Sequence, residues 1–384
     1  MDNIVISFSY KLEKRLQEES PLIQVILGPR QVGKTTGVLQ CLDRLKSFPH
    51  HYVSAEDHLS PSSIWLEEQW QKAVQISDKT ILVIDEIQKV PQWSSVIKKL
   101  WDEQKRKKKT HLKVVLLGSA SLSIQKGLTE SLTGRFELLR VFHWNYVETQ
   151  ALCGWPLEKY LQWGGYPASY SLVEDPSRFR EYILHSILET VIGKDILHLS
   201  RVRSPALFRQ AFEILSQYPA CEISYNKLLG QLQEKGNVEL VKYYIELYEG
   251  AFLLKTLQKF SLKAHLEKSS SPKVLLLCPA LVTALGFSGA TPQNQGRLFE
   301  LCVGTELLKT GGELTYWREG NFEVDYVLKL GQTLYAIEVK SGKEKSPRGL
   351  EIFQKKNPKA KILFITPENF PIFSQDIVSF LKKF

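Results

Sequence analysis

The sequence predicts an α/β chain of two or three domains that opens on a parallel sheet. Two apolar runs and a glycine-hinged loop carry that expectation. Leu22-Ile23-Gln24-Val25-Ile26-Leu27 has the length of a strand, and Ile81-Leu82-Val83-Ile84 has the continuous apolar character of a parallel strand buried on both faces. Directly after the first run stands Gly28-Pro29-Arg30-Gln31-Val32-Gly33-Lys34-Thr35-Thr36, of the form G-x-x-x-x-G-K-T. Thr35 to Leu45 then carries Val38, Leu39, Leu42 and Leu45 at helical spacing.

A strand, a glycine loop and a helix N-terminus together make a phosphate cradle. Gly28 and Gly33 free the backbone to turn several N–H groups on one anion, and the helix dipole adds positive potential. In that reading Gly28 to Thr36 line the phosphates, Lys34 reaches the β- and γ-phosphates, and the Thr35 hydroxyl holds Mg²⁺. The alternative is a glycine turn before an ordinary helix. The second run ends in Asp85-Glu86, where open α/β sheets bind ligands. Asp85 suits Mg²⁺, and Glu86 suits polarising an attacking water. No N/T-K-x-D guanine-reading motif follows, so ATP is expected over GTP.

The other elements of the first domain follow in order. Tyr10 to Gln17 reads as a short helix, Tyr52-Val53-Ser54-Ala55 as a short strand and Ile64 to Val74 as helical. A third buried strand, Lys113 to Leu117, ends in Gly118-Ser119-Ala120-Ser121, where Ser119 can sense the γ-phosphate or merely cap a helix. Arg135 precedes the strand Phe136 to Val141. It is either an arginine that stabilises transition-state charge, within the chain or across a subunit contact, or a surface side chain. The Lys105 to Lys109 cluster reads as a solvated turn, with nucleic-acid contact as the other possibility.

Composition bounds the rest. The 384 residues are 43% hydrophobic and 24% charged, as in globular proteins that work in water. A net charge of +9, from 50 Lys+Arg against 41 Asp+Glu, permits contact with nucleic acid or anionic lipid. The five cysteines lie apart with no C-x-x-C pair, which points to a reducing compartment and no zinc site. Met1 to Tyr10 lacks signal-peptide order, and the longest apolar stretch, Val274 to Phe287, is too short for a bilayer and contains Pro279. A cytoplasmic protein without membrane contact is expected.

From Pro205 to Phe260 the pattern is helix, turn, helix, turn, helix, strand. Ser224 caps the second helix, Lys235-Gly236-Asn237 turns, Val238 to Glu249 forms the third, and Phe252-Leu253-Leu254 opens a wing. This is the order of a winged helix-turn-helix, in which Lys242 and its neighbours reach a DNA groove. A trihelical domain used for packing or protein contacts is the alternative. Ser269-Ser270-Ser271-Pro272 reads as a linker. From Gln295 the order is helix, three strands, helix, strand, helix. Glu300 sits in the first helix, Asp325 in the strand Phe322 to Leu330, and Glu338 with Lys340 in the strand Leu334 to Lys340, both on one face. Three carboxylates and a lysine suit divalent-dependent phosphodiester hydrolysis: Asp325, Glu338 and Glu300 as metal ligands, Lys340 orienting or deprotonating water. Salt-bridged surface charge is the alternative. The spacing Glu-x₂₄-Asp-x₁₂-Glu-Val-Lys resembles the restriction-endonuclease-like superfamily.

Over nearly its whole length the chain also resembles a family. Gly28 to Thr36, Ile84-Asp85-Glu86-Ile87-Gln88, Leu117-Gly118-Ser119, Leu132-Thr133-Gly134-Arg135, Gly164-Gly165-Tyr166-Pro167 and Lys194-Asp195-Ile196 stand in the order and spacing of prokaryotic AAA+-type ATPases that carry a C-terminal domain of uncharacterised function. The resemblance implies a P-loop NTPase (AAA+-like) parallel sheet, a helical winged-helix-like middle domain and a C-terminal α/β nuclease-like domain, placed at 1–155, 156–268 and 269–384. Ala120, where the family often has serine, and Cys278, where it tends to have aspartate, depart from the pattern. The expected activity is Mg²⁺-dependent ATP binding and hydrolysis coupled to DNA, with divalent-dependent DNA cleavage at the C-terminal end. The alternative is an ATP-operated switch that contacts a protein partner or a second copy of the chain.

Overall fold

The computed structural model describes residues 6–19, 22–107, 112–118, 124–125, 127–197, 200, 202–232, 237–261, 271–287, 289, 291–342 and 348–384. Contacts divide the chain into two units, Met1–Phe142 and His143–Phe384, each with its own core.

The first unit is built on five strands, β1 (Ile23–Leu27), β2 (His50–Ser54), β3 (Ile81–Asp85), β4 (Lys113–Gly118) and β5 (Phe136–Arg140). Their spatial order is β2-β3-β4-β1-β5, and every pairing is parallel. The apolar runs sit where burial demands them: every residue of β1, β3 and β4 is buried, whereas β2 and β5 flank the sheet and are half-exposed. The helix Lys34–Arg44 starts directly from the glycine loop. The helix Ser63–Ile76 is capped by Ser62, whose hydroxyl accepts from the Trp65 N–H. The basic cluster expected as a turn is a correction: Lys105, Arg106 and Lys107 close the helix Trp93–Lys107, whose apolar face carries buried Trp93, Ile97, Leu100 and Trp101. Lys108 and Lys109 lie outside the described residues.

In the second unit the helices Pro205–Ser216, Tyr225–Gln231 and Val238–Gly250 stand against a three-stranded antiparallel sheet. That sheet orders β6 (Cys221–Glu222), β8 (Lys273–Leu276) and β7 (Leu254–Leu257) side by side. Ser224 and Asn237 cap the second and third helices through side-chain oxygens that accept from Lys227 N and Leu240 N. Lys235 and Gly236 of the expected turn, like Ser269 and Ser270 of the expected linker, lie outside the described residues. Strand β8 falls after the boundary expected at 268/269, yet it pairs with strands that precede that boundary.

The helix Pro292–Leu308 then leads to β9 (Glu313–Glu319), β10 (Phe322–Leu330) and β11 (Thr333–Val339). The helix Arg348–Lys356 crosses over to β12 (Lys361–Ile365), which lies parallel to β11 in the order β12-β11-β10-β9. The register between β9 and β10 slips by one residue between Val324 and Val327, a bulge that contains Asp325. Such bulges re-aim the side chains they carry. Cys278 is fully buried against Gly165, and burial pushes its thiol up to about 12. Among the described residues, no helix is long and apolar enough to cross a membrane.

Candidate functional site

In the first unit, the glycine loop leaves the carboxyl end of β1 with Gly33 at φ +83°, a left-handed conformation that favours glycine. Gly28 is required for a different reason from the one expected: a Cβ there would stand 2.5 Å from the Val141 carbonyl oxygen, just past the end of the neighbouring strand β5. Pro29 and Val32 are buried, Arg30 is half-buried, and Gln31 and Thr36 face solvent. The Lys34 side chain is buried, and its ammonium donates to the carbonyls of Gly28 at 3.1 Å and Pro29 at 2.6 Å.

Asp85, at the carboxyl end of β3, is buried and accepts three hydrogen bonds. Its Oδ2 takes the Thr35 hydroxyl at 2.7 Å and the Tyr52 hydroxyl at 3.0 Å, and its Oδ1 takes the Glu86 N–H at 2.8 Å. Burial and the Asp85 charge together hold the Tyr52 phenol well above its ordinary range. Thr35 Oγ1 and Asp85 Oδ2 are hard oxygen donors side by side, which fits Mg²⁺. Glu86 follows in a left-handed turn at φ +50°, and its carboxylate accepts from the Gln88 side-chain amide.

Ser119 lies outside the described residues, and one expectation in this unit changes. Arg135 is placed at the amino end of the sheet, where its carbonyl accepts from Ile23 N and the next residue, Phe136, pairs with Ile23. The phosphate loop leaves the other end of β1, roughly 15 Å away for a strand of this length. Asp102 of the helix Trp93–Lys107 grips the guanidinium at 2.8 and 2.9 Å, which holds the Asp102 carboxyl below its usual range. Action of Arg135 on a phosphate held by its own loop is thereby ruled out on reach.

The second unit brings Glu300, Asp325, Glu338 and Lys340 to one cavity of about 370 Å³, with Arg297, Glu323 and Ser341 also in its wall. Asp325 Oδ2 accepts from the Val339 N–H at 2.8 Å, which ties the bulge on β10 to the end of β11. Glu338 projects from β11 one step beyond the paired residues Tyr326 and Ile337. Its Oε2 is buried and has no hydrogen-bond partner among the described residues. Burial, then the Glu323 charge, push the Glu338 carboxyl up to about 7 against the pull of Lys340. Burial and the Glu300 charge likewise raise Asp325. Lys340 extends over the Phe364 ring, 4.9 Å from its centroid.

Glu300 shares that cavity with the other two carboxylates, but its oxygens have partners of their own. Lys273 of β8 donates to its Oε1 and to the Asp325 carbonyl, at 2.5 and 3.0 Å, and Arg297 donates to its Oε2 at 3.0 Å. Both oxygens are therefore engaged by cations. Consistently, no three of the His, Cys, Asp and Glu side chains among the described residues are grouped to hold a metal ion. The pair Asp325 and Glu338 still suits one divalent cation, because burial and neighbouring carboxylates outweigh the pull of Lys273 and Lys340 and one buried oxygen of Glu338 has no hydrogen-bond partner among the described residues. Lys273, Arg297 and Glu323 escaped the sequence reading. Arg297, one helical turn before Glu300, had a local signal; Lys273 had none.

The third helix, Val238–Gly250, carries Glu239, Glu246 and Glu249 against Lys242. Lys242 pairs with Glu239 at 2.9 Å, so this helix presents no basic face.

With the loop, the acidic pair and the parallel sheet in place, the likeness to known proteins can be stated. Residues 20–150 match the family model described as an AAA domain, in agreement with the P-loop and parallel sheet of the first unit. Residues 155–294 and 295–382 match two models, each described as a domain of unknown function (DUF8612 and DUF4143). Among curated relatives, an uncharacterized protein of Methanocaldococcus jannaschii is 26% identical over 367 residues, 88% of this chain and 80% of the relative. An uncharacterized protein of Mycobacterium tuberculosis is 26% identical over 340 residues, 85% of this chain and 72% of the relative. Among solved structures, a Walker-type ATPase of Pyrococcus abyssi is 16% identical with a TM-score of 0.49, covering 74% of this chain and 96% of its own. The RuvB Holliday junction branch migration motor of Thermotoga maritima is 13% identical with a TM-score of 0.34, covering 66% and 89%.

Proposed function

We propose that the chain binds and hydrolyses Mg²⁺-ATP in its first unit and uses that cycle to act on DNA through its second. The observation that carries the ATP reading is the meeting of Lys34, Thr35, Asp85 and Glu86 at the carboxyl end of the parallel sheet. On binding, Lys34 exchanges the loop carbonyls for phosphate oxygens, a charge-assisted contact that replaces two neutral acceptors. Thr35 and Asp85 hold Mg²⁺, which neutralises charge on the β- and γ-phosphates. Glu86 orients the attacking water and takes its proton. Arg135, out of reach of its own phosphate loop, acts on the nucleotide of a neighbouring copy. Lys34→Ala tests the binding claim. Fluorescent ATP should bind wild type and Glu86→Gln but not Lys34→Ala; equal binding to all three refutes it.

The second unit is read as winged-helix-like from helix Pro205–Ser216 through β8 and as nuclease-like from helix Pro292–Leu308 onward, on element order and antiparallel pairing. Asp325 and Glu338 take one divalent cation there, and Lys340 attends the attacking water. Supercoiled plasmid incubated with Mg²⁺ or Mn²⁺ should be nicked by wild type and spared by Lys340→Ala. Nicking that persists in Lys340→Ala places the chemistry elsewhere. A second reading, an ATP-operated switch for a protein partner, is favoured by one observation: the acidic helix Val238–Gly250 is poorly suited to a DNA groove. A salt titration separates the two. A steep negative salt slope for duplex binding supports the first, and no binding at low salt supports the second.

A further inference from the structure

Gln88 occupies the short turn Ile87–Lys89 that follows β3 and Glu86. One end of its amide, Nε2, donates to Glu86 Oε2. The other end, Oε1, is buried and has no hydrogen-bond partner among the described residues. That oxygen lies against Gly118, the last residue of β4, where a Cβ would come within 2.2 Å of it. Strands β3 and β4 are neighbours in the sheet, so this one amide spans the gap between their carboxyl ends. A glutamine holding a turn needs neither a glycine at the facing position nor a carbonyl left unmade. The donor end is held by Glu86 and the carbonyl end reaches Gly118, so one amide bridges the turn and the end of β4.

We propose that Gln88 is a positioning residue for the ATP hydrolysis assigned to this site, on which reading the proposal rests. Its amide fixes the Glu86 carboxylate by reference to the end of β4. The placement of the β4 terminus therefore sets whether Glu86 faces the attacking water. Gln88 itself touches neither nucleotide nor water. Gly118 is part of the device: a Cβ there would meet Ile124 Cδ1 at 2.1 Å and the Gln88 carbonyl oxygen at 2.2 Å, so only a residue without a side chain leaves room for both.

The experiment measures steady-state ATP turnover and thermal melting for full-length wild type, Gln88→Leu, Gln88→Glu and Gly118→Ala. Gln88→Leu keeps the bulk and loses the hydrogen bond; Gln88→Glu keeps the shape and sets two carboxylates against each other. Both should lower kcat about tenfold to a hundredfold, the usual effect of a misaimed catalytic group, with KM for ATP and melting temperature nearly unchanged. Gly118→Ala should lower kcat as well, and its melting temperature should fall with it, because the new methyl meets buried Ile124 as well as the amide. In a Glu86→Gln background, Gln88→Leu should add nothing, since it acts only through Glu86. Undiminished kcat in Gln88→Leu, or an equal further loss in the Glu86→Gln background, overturns the proposal alone. Nucleotide binding without turnover by wild type overturns the hydrolysis reading, and the role of Gln88 with it.

Discussion

Asp85 is the residue at which structure and nucleotide chemistry can be separated by one atom. Its carboxylate accepts from Thr35, Tyr52 and the Glu86 N–H, at 2.7, 3.0 and 2.8 Å. Asp85→Ala leaves three donors with no acceptor, and each buried orphan costs about 1–3 kcal/mol, less for the two hydroxyls that can turn to other partners. Asp85→Asn behaves differently. With its carbonyl toward Glu86 N, its amide can donate to the two hydroxyls, which reverse to accept. The nucleotide-free fold then loses only charge assistance, about 1 kcal/mol net once the relief of a buried charge is counted. The same reversal commits the Thr35 lone pair and removes the negative charge beside the metal, which weakens Mg²⁺-ATP binding about a hundredfold, or roughly 2.7 kcal/mol. At a ligand concentration near a hundredfold of the wild-type Kd, Mg²⁺-ATP stabilises wild type by about 2.7 kcal/mol and Asp85→Asn by about 0.4 kcal/mol. At roughly 3 °C per kcal/mol for a unit of this size, calorimetry should show a shift of about 8 °C in wild type and about 1 °C in Asp85→Asn. A full ligand-induced shift in Asp85→Asn refutes the assignment of Asp85 to the metal. Asp85→Asn as damaging as Asp85→Ala without nucleotide refutes the hydrogen-bond account.

The remaining predictions address the other sites. Lys273→Met strips the buried Glu300 of one of its two cations and should cost about 3–5 kcal/mol in urea unfolding; adding Glu300→Gln should recover much of the loss, and simple additivity would refute the pairing. Burial raises the Glu306 carboxyl above its ordinary value of 4.5, against the pull of Lys309, so the folded chain keeps a proton the unfolded chain has released. Stability from this group is present below about pH 4.5 and falls as pH rises through the raised value; Glu306→Gln should flatten the fall of melting temperature above pH 4.5, and an unchanged slope counts against it. Mixing Arg135→Ala with Glu86→Gln should raise turnover well above the residual rate of either alone, because each copy supplies what the other lacks, and a mixture no faster than its parts excludes action across copies.

The first unit was legible because its signals are local. A strand, a glycine loop and a helix follow one another in nine residues of loop and its flanks, and continuous apolar runs mark buried parallel strands without any knowledge of their neighbours. The same logic, carried one step further, already constrained Arg135. A residue that precedes a parallel strand sits at the amino end of the sheet, and a loop that follows one sits at the carboxyl end. Tyr52 and Gln88 were missed for the opposite reason. Each acts on a residue of β3 or its turn through a side chain whose direction depends on how neighbouring strands are aligned.

In the second unit the order of elements was legible and the state of the acidic centre was not. Period-two reading set Glu338 and Lys340 on one face; the strand β11 ends at Val339, one residue before Lys340, yet both line the cavity with Asp325. What periodicity cannot carry is the single-residue slip in β10, which leaves five consecutive residues, Val324 to Leu328, buried where alternation would expose every second one. Nor can it carry Lys273, which lies 27 positions from Glu300 and belongs to a different sheet. That lysine changes the chemistry. Three carboxylates around a cation need no internal partner, whereas Glu300 already has two, and its charge serves to hold Lys273 and Arg297 in place. Asp325 and Glu338 remain as the pair proposed for the divalent cation, both made weaker acids first by burial and then by neighbouring carboxylates. Metal affinity at this centre should therefore respond strongly to Asp325→Asn and weakly to Glu300→Gln, and a Mn²⁺ titration followed by electron paramagnetic resonance orders the two. If Glu300→Gln abolishes Mn²⁺ binding while Asp325→Asn retains it, the division of labour drawn from these ion pairs is wrong.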